Sequence, residues 1–248
     1  MEATSQTHLC DRTVGDVVAE DYRRADAFRR YGIDFCCGGN RTVRAAAAEK
    51  GVDCDALLHA LAAAEREPAR ADHADPRAWE PDFLATYIVN VHHRYVRRSL
   101  PMLRELTQTV ARVHGGTHAA TVRIAELTEE VAQELTAHME KEETVLFPHI
   151  ERLCEARRTG TAAPTGAPAG APIEMMEEEH DHAGMLLRQI HTLSDGFTAP
   201  AEACTTWRMA YERLEAFEAD LHRHVHLENN ILFPAALRME HACTAQPA

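Results

Sequence analysis

Nowhere in the 248 residues do eighteen apolar side chains run together, which excludes a membrane-spanning helix as a reading of the sequence. The opening "MEATSQTHLCDRTVGDVV" lacks the charged-then-apolar order of a secretion signal, so a soluble cytoplasmic protein is expected. Basic residues are in deficit. With 26 Lys and Arg against 39 Asp and Glu, the formal charge is −13 and no basic stripe forms. Such a surface repels phosphate backbones and excludes nucleic acid as the expected partner. The seven cysteines are odd in number and show no CxxC or disulfide-scaffold spacing, so they read as reduced thiols. What is present is apolar content of 45%, enough for a sizeable core in one or two domains.

The patterning predicts an all-α protein. Residues 1–70 form a small Ala- and Arg-rich segment in which two helical stretches flank "IDFCCGGN". The polar run "REPARADHADPRAWEP" then marks a boundary before a larger domain at 80–245. That domain carries four long helical patterns, at about 82–114, 117–157, 173–195 and 201–240. Between the second and third, "TGTAAPTGAPAGAP" (159–172) is too rich in Pro, Gly and Ala to order itself and reads as a flexible linker between helix pairs.

Two eleven-residue segments match across those pairs, "HMEKEETVLFP" from His138 and "HVHLENNILFP" from His224. Each begins with His, has Glu fifth and ends Leu-Phe-Pro. Residues four apart on a helix are neighbours on one face, so His138 with Glu142, and His224 with Glu228, each address a common point. Both pairs continue an apolar stripe: Ile124, Leu127, Val131, Leu135, then His138, Glu142, Val145 and His149 in one helix; Trp207, Tyr211, Leu214, Phe217, Leu221, then His224, Glu228 and Ile231 in the other. The remaining two helices each add an inward histidine, His93 among Val89, Val96, Leu100 and Leu103, and His180 among Met176, Ala183, Leu187 and Ile190. The spacing repeats too, 45 residues from His93 to His138 and 44 from His180 to His224. An ionised carboxylate on an apolar stripe is expensive unless paired or coordinated. Two copies at matched positions point to a dinuclear metal site in the core of a bundle, with two histidines per metal and Glu142 and Glu228 bridging. Imidazole with carboxylate suits iron before manganese or zinc, and the open coordination admits an oxo bridge, water or a small diatomic ligand.

Other histidines compete for these roles. His92 lies near the same broad face as His93 and stays a rival ligand. His222 and His226 fall on the opposite side of their helix and read as surface residues; His182 reads as exposed or supporting His180, His149 as a helix-end residue, and His114 and His118 as turn residues. Glu177 to Glu179 suit a helix's first turn, with a polar lining beside the metals as the alternative, and Glu134 and Glu140 share that ambiguity. Adjacent Cys36 and Cys37 would point apart in regular structure and not readily chelate one metal, while the glycines after them permit unusual backbone angles in an exposed turn; a reactive loop and an inert buried pair are both open.

Taken together, "YGIDFCCGGNRTVRAAAAEKG", "HMEKEETVLFP", "MEEEHDHAG", "EACTTW" and "HVHLENNILFP" resemble, in order and over nearly the whole chain, segments of the Repair of Iron Centres family, the iron-sulfur cluster repair di-iron proteins. That resemblance implies a hemerythrin-like four-helix bundle behind a small cysteine-bearing helical domain. It also implies two non-haem irons held by His93, His138, Glu142, His180, His224 and Glu228, bridged by the two glutamates and an oxo or hydroxo group. The implied role is repair of iron-sulfur proteins damaged by nitric oxide or oxidants, by iron donation from a cytoplasmic homodimer; beside it, Cys36 and Cys37 are candidate transfer thiols, expected to contact the damaged acceptor or to accept nitrosyl chemistry. Two other functions share the same site: a binding or sensing module for oxygen or nitric oxide, and a di-iron nitric oxide reductase.

Overall fold

The computed structural model describes residues 9–65, 75–161 and 168–244. Among them the regular secondary structure is all helical, and the only β-type pairing is one antiparallel bridge, Thr13 to Thr42. Four short helices come first: α1 (Val14–Glu20), α2 (Ala25–Arg30), α3 (Val43–Glu49) and α4 (Cys54–Glu65). Thr13 and Thr42 each cap the following helix, accepting the Asp16 and Ala45 backbone N–H through the hydroxyl, so the bridge fixes two helix starts side by side.

Four long helices form the bundle. Three are interrupted by a π-turn, in which the hydrogen bond spans five residues and inserts one extra residue into the helix. Helix α5 spans 81–114 with its π-turn at Val89–His93; α6 spans 119–159 with one at Glu142–Leu146; α8 spans 205–244 with one at Glu228–Leu232. Only α7 (Gly170–Leu193) is free of them. The Arg94, Phe147 and Phe233 N–H groups close these turns on Val89, Glu142 and Glu228 carbonyls. In α6 and α8 a proline follows directly, Pro148 and Pro234, whose missing N–H already breaks the regular ladder where the wider turn sits.

These turns shift the stripes by one residue. Val145, expected on the inner face, is 57% exposed, and Leu146 and Phe147 are buried instead. In α5 the inner residue before the turn is Ile88, not Val89, and both His92 and His93 are buried after it. Helix α7 keeps the expected phase, with Met176, His180, Ala183, Leu187 and Ile190 all buried.

The linker expectation needs correction at its edges. Thr159 still belongs to α6, which ends on Gly160 in the left-handed region (φ 68°), and Gly170 to Pro172 form the first turn of α7. Pro172 is tolerated there because a first-turn N–H has no partner within the helix. Residues 162–167 lie outside the described residues, as do 66–74 of the polar run.

The apolar core is in two parts. One joins the short helices to the outer half of the bundle through Val96, Leu100, Val131, Leu135, Leu187 and Leu221. The other gathers Leu84, Ile88, Leu146, Phe147, Met176, Leu232 and Phe233. Between them lies a layer of buried histidine and glutamate. No helix among the described residues is long and apolar enough to cross a membrane.

Candidate metal centre

Six side chains make that layer, and all are at most 2% exposed: His93 from α5, His138 and Glu142 from α6, His180 from α7, His224 and Glu228 from α8. They fall into two groups, His93, Glu142, His224 and Glu228, and His138, Glu142, His180 and Glu228, each with one ligand atom per residue within 4.8 Å of the others. The two glutamates belong to both. Within each group the imidazoles meet at Nε2, His93 to His224 at 3.1 Å and His138 to His180 at 2.9 Å. Glu142 Oε2 stands 3.3 Å from both His93 and His138 Nε2; Glu228 reaches His180 at 3.2 Å and His224 at 3.0 Å.

What holds the rings in place is local. The residue after each shared glutamate accepts a hydrogen bond from the histidine of the preceding helix: His93 Nδ1 donates to Glu143 Oε1 at 2.6 Å, and His180 Nδ1 to Asn229 Oδ1 at 2.8 Å. The same ring lies on the phenylalanine five positions beyond the glutamate, His93 on Phe147 (5.7 Å between centroids, 18°) and His180 on Phe233 (6.1 Å, 3°). The Leu-Phe-Pro anchor thus seats a ligand-type ring, and the π-turn brings its phenylalanine into register. His138 Nδ1 donates to Glu179 Oε2 at 2.9 Å. His224 differs. Its Nδ1 has no hydrogen-bond partner among the described residues, and the ring is stacked by His92 (5.6 Å, 8°).

A cation fits this chemistry. When neutral, His93, His138 and His180, each donating through Nδ1, present Nε2 as a lone pair, so the pocket points nitrogen at nitrogen and at two buried carboxylates, and neither Glu142 oxygen finds a hydrogen-bond donor. Two nitrogens each about 2.1 Å from a common ion, at roughly a right angle, stand about 3 Å apart. Electrostatics agree. Burial alone would lower His93 and His138, yet the facing carboxylates lift them to about 10 and about 9. Burial opposes ionisation of Glu142 and Glu228 as well, and the surrounding imidazoles hold both below the usual carboxylate range. The cavity asks for positive charge.

His92 lies outside both groups: its Nδ1 donates to Asp220 at 3.1 Å and its Nε2 faces no partner among the described residues. His182 is half-buried and donates to Glu134 at 2.8 Å, and His114 and His118, at helix ends, pack on Trp207. Three readings are overturned. His149 is not at a helix end but inside α6, half-buried against Glu240. Glu177 to Glu179 are not a first turn, because α7 begins at Gly170. His222 and His226 do face away from the stripe, yet they are not surface residues: Phe35 of the cysteine loop packs on both, at 5.9 Å, and burial holds both near pKa 4, hence neutral at pH 7.

The cysteine loop itself is docked, not an exposed turn. Asn230, two residues past Glu228, donates to the Cys36 carbonyl at 3.0 Å, and its amide fills the space where a Cβ on Gly15 or Gly39 would stand. Gly39 is therefore a matter of close approach, since neither Gly38 nor Gly39 has a positive φ. Asp34 Oδ1 accepts the Cys36 and Cys37 N–H groups, both at 3.0 Å, and the Cys36 thiol at 3.2 Å. The two thiols lie on one side, 3.9 Å apart, and with Asp34 they form a third group of metal-type atoms, contrary to the expectation that they diverge. Cys36 is buried and its thiol pushed well up by Cys37 and by desolvation, while half-buried Cys37 faces Gly184 of α7, one turn past His180.

A four-helix bundle with inward His and Glu at these positions is a hemerythrin-type cation-binding domain, and residues 84–236 match the family model described as "Hemerythrin HHE cation binding domain". Residues 10–65 match a second model, a domain of unknown function named ScdA_N. Among curated proteins, the chain is 37% identical over 233 residues to the iron-sulfur cluster repair protein YtfE of Musicola paradisiaca, covering 94% of this chain and 99% of that one. It is 40% identical over 227 residues to YtfE of Edwardsiella ictaluri (92% and 97%) and 36% identical over 230 residues to YtfE of Yersinia pseudotuberculosis (93% and 98%). The chain belongs to this family of hemerythrin-type iron-sulfur cluster repair proteins.

Sequence reasoning missed Glu143, Asn229, Asn230 and the stacking role of Phe147 and Phe233. The signal was present, since each lies at a fixed offset from a matched glutamate.

Proposed function

We propose that the chain holds two non-haem irons, one with His93 and His224 and one with His138 and His180, with Glu142 and Glu228 shared, and that it restores damaged iron-sulfur clusters by supplying that iron. The observation that carries this is the pair of buried His2Glu2 groups with both glutamates in common. The names of the relatives support the repair role. Bound there, the irons would supply redox-active, exchangeable metal. The chain's own part is to orient four Nε2 atoms through Glu143, Glu179, Asn229 and the stacked rings, and to keep bulk water from a site closed by two apolar clusters. Cys36 and Cys37 are assigned to transfer. They stand on the bundle beside α7 with Asp34 as a third ligand-type group, and thiolate suits a metal destined for a thiolate cluster. The recipients are iron-sulfur proteins damaged by nitric oxide or oxidants.

The test is to incubate the iron-loaded protein with a nitrosylated iron-sulfur enzyme and follow recovered enzyme activity, iron lost from the bundle, and nitrous oxide in the headspace. Recovery matched by iron loss is expected. Nitrous oxide without iron loss would instead make the protein a nitric oxide reductase. A Cys36→Ala, Cys37→Ala double variant is expected to keep its iron and repair poorly.

A further inference from the structure

The short helices contain a second pair of thiols that the repair chemistry leaves unused. Cys10, just before α1, and Cys54, the first residue of α4, are 44 positions apart in sequence, yet their Sγ atoms stand 2.9 Å apart. Cys10 is 4% exposed and Cys54 half-buried. We propose that Cys10 and Cys54 are a redox pair, oxidised to a disulfide by a low-molecular-weight disulfide such as oxidised glutathione, which closes the chain segment that carries Cys36 and Cys37.

The order of events follows from access. Cys54 is the thiol solvent reaches, whereas burial and the neighbouring Cys54 push Cys10 up to about 11, which makes it the poorer first nucleophile. Cys54 gives up its proton and attacks one sulfur of the oxidant, forming a mixed disulfide and releasing one glutathione thiol. Cys10 then attacks the Cys54 sulfur, forming the protein disulfide and releasing the second. Two protein thiols are oxidised and one disulfide is reduced to two thiols, with both protons passing to the leaving groups. The bond needs no large movement, because an S–S bond of about 2.05 Å lies within one ångström of the present contact. It ties the segment ahead of α1 to α4 across the Thr13–Thr42 bridge and encloses the loop from Asp34 to Gly39 without touching any residue of the metal centre. The pair is separate from Cys36 and Cys37, whose thiols contact each other and Asp34.

The sequence makes the measurement clean. Tryptic cleavage places Cys10 alone in peptide 1–12, Cys54 alone in 51–66, and Cys36 with Cys37 in 31–41. The reduced, iron-loaded full-length protein is treated with oxidised glutathione, the remaining thiols are alkylated, and the digest is mapped without reduction. Exposed Cys204 carries glutathione in every arm and reports that the oxidant acted. Peptide 1–12 joined to 51–66 is expected, together with a melting transition raised by several degrees and unchanged iron. In Cys10→Ser the reaction is expected to stop with glutathione on Cys54 and no rise in melting. The proposal is overturned if wild-type Cys54 stays free or keeps glutathione while Cys204 is modified, or if the link runs to peptide 31–41.

Discussion

The two halves of the bundle, α5 with α6 and α7 with α8, supply identical metal-type residues but unlike supports. In the first half the residue after the shared glutamate is a carboxylate, Glu143; in the second it is a neutral amide, Asn229. The residue before the first histidine of each half is exchanged in the opposite sense, His92 in one and Glu179 in the other. The consequence is that each candidate metal position receives one charged acceptor. The His93 and His224 position has Glu143, and the His138 and His180 position has Glu179, while Asn229 supports His180 and His92, held by Asp220, stacks on His224. Duplicated helices can thus keep their metal-type residues and still redistribute charge behind them. Supporting carboxylates raise ligand basicity, and each position receives one of them on a histidine Nδ1.

The largest expected effect comes from removing what the halves share. Glu142→Leu and Glu228→Leu should each lower bound iron from two per chain to one or fewer, to similar extents, because either change withdraws a carboxylate from both positions. Elemental analysis with protein quantitation reads this directly. Loss in one variant only would make the centre asymmetric at its ligands and not merely behind them.

Next come the supports. Glu143→Ala and Asn229→Ala each free an Nδ1–H, and loss of such a partner typically costs about 10- to 100-fold in metal affinity. Glu143→Ala should lie nearer the upper end because its acceptor is charged and is itself held by Arg97 at 2.8 Å. Competition with a chelator of known affinity measures both. Equal losses would show that ring position, not acceptor charge, is what matters.

Asn230 sharpens the comparison by lying one residue beyond Asn229 and serving the other unit of the chain. Asn230→Ala should leave iron content unchanged while it releases the Cys36 carbonyl and opens a gap between Gly15 and Gly39. The expected readout is faster alkylation of Cys36, by about tenfold if the lost bond contributes roughly 1.4 kcal/mol to docking. Unchanged alkylation would mean that Phe35, packed on His222 and His226, holds the loop alone.

How much of this was legible beforehand depends on where the helices are regular. Five of the six ligand-type residues lie on regular helix or at the first residue of a π-turn, so a 3.6-residue period reaches His138, Glu142, His180, His224 and Glu228, whereas His93 closes its π-turn and is separated from His92 only by the matched spacing to His138. Past those points the period fails by one, which is why Val145 is exposed and Leu146 is not. The π-turns of α6 and α8 have one readable trace: adjacent Leu and Phe, both buried, before a proline that cannot continue the ladder. The histidines at 222 and 226 were misread for a different reason. Phase showed correctly that they face away from the centre, but helix phase carries no information about a second unit packed on the far side.

The smallest effect is expected at His92, and it addresses the remaining difference between the halves. Regular α geometry would place His92 four residues after buried Ile88, in the inward position; the π-turn at Val89–His93 adds a residue and presents His93 there instead. His92 is left flat against the His224 ring, anchored by Asp220. His92→Phe preserves an aromatic face and loses only the Asp220 bond, so iron content should stay near two per chain with affinity changed less than about threefold, since one partly exposed hydrogen bond contributes on the order of 0.5 kcal/mol. His93→Ala in the same background should lose iron. If His92→Phe strips the metal while His93→Ala spares it, the π-turn is absent in the loaded protein and the inward ligand of α5 is His92. Equal losses would instead mean that the helix exchanges between the two registers, with both histidines serving the same position.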